Sequence, residues 1–251
     1  MNNNKLVINP DKTHMMVMGT KRVVPQRQQV SMMAGNFLIK PTKTEKLLGG
    51  QVHQSLKWNQ HLTDGNSSLA KQLTSRINGL KRISRSAGFA TRLMVANGAV
   101  LSKLVYLITV WAGAKQYLLK ALQVQQLTAA RTVCGFQSRC WSKRRLLKKV
   151  GWMSVRQLIF FHTVLQAHKT LTTGVPRPLF STLSTEHPYH TRNAANGNIR
   201  LGEGISCTST FKYRARLFYN SVPGTIKTGS LQTVKKKLKQ WVLENEPLDW
   251  G

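Results

Sequence analysis

The chain has 251 residues, with 38 Lys and Arg against 8 Asp and Glu, for a formal charge of +30. Apolar residues make up 41% of it, enough to build a core, which excludes a disordered basic tail. A folded chain so unbalanced repels itself unless a polyanion lies against it, so nucleic acid is the first partner the composition points to and an anionic membrane surface the second.

The first sixty residues alternate and carry turn residues in the manner of β-structure. Leu6–Ile8 form a short apolar run, and Asn9-Pro10-Asp11-Lys12 reads as a turn, because Pro fixes φ and Asn and Asp close turns with their side chains. Met15–Met18 reads as a second strand ended by Gly19, Phe37–Ile39 as a third, and Glu45–Val52 as a fourth, broken at Gly49-Gly50. That glycine pair forms either an ordinary bulge or a hairpin set close to a ligand.

Helical spacing follows. Asp64-Gly65-Asn66 marks a start, and Leu69, Leu73, Ile77, Leu80 and Ile83 give an apolar face up to Gly88. Lys71, Arg76, Lys81, Arg82 and Arg85 fall largely on its other faces. Thr91 is placed to cap the next helix, through Leu93, Ala96, Val100, Leu104, Leu107, Ile108 and Trp111, weakened at Asn97-Gly98. Within it, Leu104–Ala114 is the most apolar run of the chain. It is about half of what a bilayer span requires, so it reads as a buried helix.

Leu118–Phe180 holds two more helical patterns around a basic connector. Leu118, Leu119, Leu122, Leu127, Ala130 and Val133 share one broad face, with Gly135 at the C-terminal end. Ser154 offers an N-cap to the second, which runs through Val155, Leu158, Ile159, His162, Leu165 and His168 to Gly174. Between them lie Arg139, Lys143, Arg144 and Arg145, then Lys148 and Lys149, and no Asp or Glu occurs from Gly65 to Thr185. As a solvated face the connector needs no partner; the missing counter-acids favour a phosphate clamp. Ser181–Gly204 reads as a polar linker with at most a strand at Asn198–Leu201. Phe211–Tyr219 interleaves aromatic and basic residues, Ser221-Val222-Pro223-Gly224 is a turn, and Ser230 caps a last helix with Leu231, Val234, Leu238, Trp241 and Val242 on its apolar face. The expected fold is α+β: small antiparallel strands over 1–62, thumb-like helices over 63–114, a basic helical domain over 115–180, a linker over 181–210 and a C-terminal turn and helix over 211–251.

Metal-dependent phosphoryl chemistry needs converging carboxylates, and no two of the eight acids (Asp11, Glu45, Asp64, Glu186, Glu203, Glu244, Glu246 and Asp249) form a convincing pair. Neither catalytic residues nor a metal or other cofactor are expected in this chain. Cys134 and Cys140, with His187 and His190, lack a zinc spacing. The odd cysteine count, with Cys207, suits free thiols in a reducing compartment, nucleus or cytoplasm. His162 and His168 read as core-flanking residues, since no nucleophile or carboxylate accompanies them. Trp141 and Trp152 flank the basic cluster and either stack on bases or belong to the core, and Arg214 and Arg216 among Phe211, Tyr213 and Tyr219 are a weaker candidate of the same kind.

The order of several short motifs resembles the C-terminal part of the reverse transcriptase of non-LTR, LINE-like retrotransposons. Asn9-Pro10-Asp11-Lys12-Thr13 is similar to the turn after the catalytic Asp-Asp hairpin of that palm, and Glu45-Lys46-Leu47-Leu48-Gly49 to its primer-grip hairpin. Leu122-Gln123-x-Gln125-Gln126-x2-Ala129-Ala130-Arg131 resembles the helix after the thumb, Trp152-x2-Val155-Arg156-Gln157 a later helix start, and Tyr219-Asn220-Ser221-Val222-Pro223 a Trp-Asn-x-Leu-Pro turn. The Lys-rich helix around Lys237-Leu238-Lys239 matches too. The resemblance implies the end of a palm, a thumb and a C-terminal helical region of an RNA-directed DNA polymerase. The catalytic aspartates would lie upstream of Asn9, and Mg2+ would belong only to the full-length enzyme. It implies a primer–template duplex of RNA and DNA as partner, with no membrane and no small-molecule substrate. Its contacts would come from Lys71, Arg76, Lys81, Arg82, Arg85, Arg139, Lys143, Arg144, Arg145, Lys148 and Lys149, with Leu48 and Gly49 at the primer grip. The alternative is a stand-alone helical RNA- or DNA-binding protein.

Overall fold

A computed structural model describes residues 9–19, 30–34, 37–135, 140–183, 195–200 and 209–245. The architecture is α+β, two small antiparallel sheets followed by helices. It divides into two compact units, Met1–Gln72 and Leu73–Gly251.

In the N-terminal unit, the Asn9 turn forms as its residues dictate: Asp11 N donates to Asn9 Oδ1 at 3.0 Å, and Thr13 Oγ1 donates to the Asn9 carbonyl at 2.8 Å. Strands β1 (Met32–Ala34) and β2 (Phe37–Ile39) pair antiparallel. Met15–Met18 is not a strand. Met15 makes one isolated bridge to Pro41, whose missing N–H stops a ladder from extending there. Glu45–Val52 is a hairpin, β3 (Thr44–Leu47) and β4 (Gly50–His53), rather than one bulged strand. Its two-residue turn has Leu48 at φ 47° and Gly49 at φ 80°, the positive pair a type I′ turn requires.

Helix α1 (Leu69–Ile83) starts later than its sequence signal, because a π-helical turn at Gln60–Asp64 comes first and closes on Gly65, whose N–H donates to the Gln60 carbonyl. Gly88 does not end α1 but is the extended N-cap of α2 (Phe89–Ala96), its carbonyl accepting from Arg92 N at 3.0 Å. Thr91 lies inside that helix. The single helix expected to reach Trp111 is three pieces. A π-helical turn at Asn97–Leu101 follows α2, then α3 (Ser102–Val105), then a break at Leu107 (φ 57°) before α4 (Ile108–Trp111). The break frees the Tyr106 carbonyl, which accepts from the Trp111 indole N–H at 3.2 Å.

The core of the C-terminal unit is built around α7 (Val155–Thr173), buried on most sides. Its start carries the capping box expected from Ser154: Gln157 N donates to Ser154 Oγ and Ser154 N to Gln157 Oε1. Against it pack α5 (Gln116–Cys134), α9 (Phe211–Ser221) and α10 (Leu231–Glu244), the last capped by Ser230. Phe160 sits 5.0 Å from Phe218 and 5.8 Å from Trp241, ring to ring. Gln126, buried in the α5 seam, donates to the Met153 carbonyl at 2.8 Å. A short helix, α8 (Arg177–Phe180), follows α7. Helix α9 was not legible as a helix. Arg214 and Arg216 do not lie on its surface but inside, 4% and 6% exposed, donating to the Ser209 and Thr182 carbonyls. The described part of Asn198–Leu201 is not a strand; Ile199 is held by Asn220, which accepts from its N–H at 2.7 Å and donates to its carbonyl at 2.9 Å. Leu6–Ile8, Cys207, Arg139, His187 and His190 lie outside the described residues.

Candidate nucleic-acid interface

The basic connector becomes helix α6 (Lys143–Val150), because Ser142 accepts the Arg145 N–H as an N-cap at 3.3 Å and Gly151 (φ 68°) ends it in the left-handed region. Leu146, Leu147 and Val150 are buried and face α5. At about 100° per residue, the five cations of α6 then cannot share one side. Lys143 falls in line with the buried stripe at its N-terminal end, Arg144 and Lys148 lie on one edge of it and Arg145 and Lys149 on the other.

The first edge opens on a groove of about 890 Å3 between α5, α6, the start of α7 and the end of α10. Lys120 and Arg156 reach it as well, so among the described residues five cations line it and Glu244 is its one acid. Arg156 donates to Gln116 Oε1 at 2.7 Å, and Val155 N donates to Gln123 Oε1 at 2.9 Å, which fixes the floor. Chemically this is a basic trough, suited to a sugar–phosphate backbone.

On the other edge the guanidinium of Arg145 lies over the Trp141 ring, 4.5 Å from its centroid, and the Lys149 ammonium over Phe89 at 5.6 Å. Burial pushes the neighbouring Cys134 thiol up from its ordinary pKa, against the pull of Lys149 and Arg92, so it is not a thiolate. Trp152 belongs to the core and is no stacking platform: it is buried, and its indole N–H donates to Asn97 Oδ1 at 2.7 Å.

Of the other cations singled out in the sequence, Lys71 is exposed on α1 within the N-terminal unit, and Lys81, Arg82 and Arg85 are exposed in the C-terminal unit without lining the groove. Arg76 donates to the Ala99 carbonyl at 2.6 Å. Leu48 and Gly49 form the hairpin tip, where Leu48 is 79% exposed beside Leu47 at 65%. His162 and His168 do not act together. His168 is buried with its Nδ1 3.3 Å from the Tyr219 hydroxyl, whereas His162 faces a different cavity. Burial lowers the pKa of both, for His162 with help from Lys235. Neither Lys120 nor Arg156 was among the contacts expected from the sequence, although Arg156 stands in the Trp152-x2-Val155-Arg156-Gln157 motif. The available signal was the polar stripe Gln116, Lys120, Gln123 at helical spacing along an otherwise apolar α5.

No protein-family model matches the chain, and comparison with curated proteins and with solved structures finds no match either. Among the described residues, no three His, Cys, Asp or Glu side chains cluster as metal ligands, and no helix is long and apolar enough to cross a membrane.

Proposed function

We propose that the chain binds the sugar–phosphate backbone of a nucleic acid through the α5–α6–α7 groove. The observation that carries this reading is the groove's charge: among the described residues, Lys120, Lys143, Arg144, Lys148 and Arg156 converge on one trough against Glu244 alone. A solvated basic face would gain nothing from gathering like charges around a concavity, where they raise each other's electrostatic energy. Backbone contacts carry no base information, so the binding is sequence-tolerant.

The order of motifs extends this to a role. The chain serves as the duplex-holding part of a LINE-like reverse transcriptase, engaging primer–template without supplying the metal-binding aspartates. The Leu48-Gly49 tip supports it, because an exposed leucine held at positive φ is unfavourable for a free hairpin and suits a tip that meets a ligand. Two assays on the purified full chain test both levels. Gel-shift and anisotropy titrations with an RNA–DNA duplex should show binding, while primer extension with Mg2+ and all four dNTPs should show no product. Failure to bind, with tight adsorption to anionic vesicles instead, refutes the nucleic-acid reading. Extension by this chain refutes the holding-only role.

A further inference from the structure

A second concavity, independent of the groove, opens where the helix breaks at Leu107. The left-handed residue turns the backbone so that Val105, Leu107 and Ile108 form one wall of a cavity of about 370 Å3. Helix α7 presents His162, Gln166 and Lys169, at i, i+4 and i+7, and helix α10 adds Gln232 and Lys235. The lining therefore joins an apolar wall to three basic side chains and two amides, and contains no acid. None of the four acids among the described residues (Asp11, Glu45, Asp64, Glu244) takes part.

We propose that this pocket binds a phosphate group, with Lys169 and Lys235 as its cationic contacts and His162 as a ring N–H donor. A phosphoryl group offers several acceptor oxygens to donors arriving from two helices, which neither the carboxylates among the described residues nor the apolar wall supplies. The wall gives the organic part of the ligand, a sugar or base, an apolar surface to lie on. The ligand class is a phosphate ester, either a free nucleotide or the backbone of an oligonucleotide. The local field supports the assignment: burial and the Lys235 charge hold His162 below its ordinary pKa, as an empty cationic site would. An arriving phosphate reverses that field and raises the pKa.

The ring nitrogens of His162 report on this directly. Their NMR signals, assigned by loss in His162→Gln, are followed against pH in the full chain with pyrophosphate, with ATP, or with a 12-nucleotide strand. The expected result is a rise of His162 by about one pH unit at saturation with at least one probe, since an opposite charge in contact shifts a pKa by that order. Lys235→Gln should weaken that probe about tenfold, as loss of one charge-assisted hydrogen bond does, while Lys239→Gln, the same charge change on an exposed α10 position outside the lining, should leave it within twofold. A response to pyrophosphate and ATP alone identifies a free phosphate ligand. A strand that also displaces ATP identifies the backbone. If no probe moves His162 at millimolar concentration, or if Lys235→Gln binds as tightly as the parent, the proposal is overturned.

Discussion

The groove makes a quantitative prediction about salt. Five cations line it, and if each neutralises one phosphate of a duplex, the slope of log K against log salt is about −0.9 × 5, or about −4.5. Raising salt from 50 to 200 mM changes log salt by about 0.6, so affinity should fall by about 2.7 log units, roughly 500-fold. Lys143→Gln/Arg144→Gln/Lys148→Gln leaves Lys120 and Arg156, for a slope of about −1.8 and a fall of roughly twelvefold over the same range. All three replaced side chains are exposed, so the unfolding midpoint should stay close to that of the parent. Fluorescence anisotropy with a labelled 20-base-pair RNA–DNA duplex at 50, 100 and 200 mM KCl measures both slopes. A triple variant that keeps the parent slope refutes the reasoning, because the phosphates would then be held somewhere other than this groove.

Three further outcomes follow from particular residues. Ser154→Ala removes half of the capping box at the head of α7 and should cost about 1 kcal/mol in urea unfolding. Leu48→Asn relieves a branched side chain at positive φ without uncovering any core, so the β3–β4 hairpin should gain about 0.5–1 kcal/mol, read as slower amide exchange; if the tip also grips a primer, duplex affinity should fall as stability rises. His162 and His168 both have pKa values held below the ordinary 6.5, so below that pH the unfolded chain binds more protons than the folded one, and stability should fall as pH drops from 7 toward 5. His162→Gln should flatten that fall, and a parent curve flat between pH 7 and 5 contradicts the sign.

What the residues announced in advance were local events. Ser154 and Ser230 cap the helices they precede, the apolar face of α5 is buried as its spacing requires, and those of α1 and α10 are buried except at their ends, where Ile83 and Leu231 are exposed, because caps and periodic faces are decided within a turn or two of chain. The break at Leu107 has no such mark: leucine is a poor residue for positive φ, and only the surrounding packing holds it there. Arg214 and Arg216 misled for a related reason, since a basic residue beside aromatics reads as surface until the carbonyls of Ser209 and Thr182 bring it inside. The groove was half legible. Lys143, Arg144 and Lys148 stand in an obvious basic run, but Arg156 meets Gln116 across forty residues of sequence, a contact no local pattern encodes.

The geometry of α6 also decides how many phosphates the salt experiment should count. If all five cations of the helix touched a backbone, together with Lys120 and Arg156, the number would be seven and the slope about −6.3. The helix forbids that arrangement, because burying Leu146, Leu147 and Val150 sends Arg145 and Lys149 to the far edge. There they rest on Trp141 and Phe89, contacts worth only about 0.5–1 kcal/mol each at exposed sites. So weak a hold would yield to a phosphate that came within reach. It is the direction these side chains point, and not their engagement with the rings, that keeps them out of the count. A parent slope near −4.5 therefore places the strand in the groove, while one near −6.3 would require it to wrap over α6 onto the Trp141 edge.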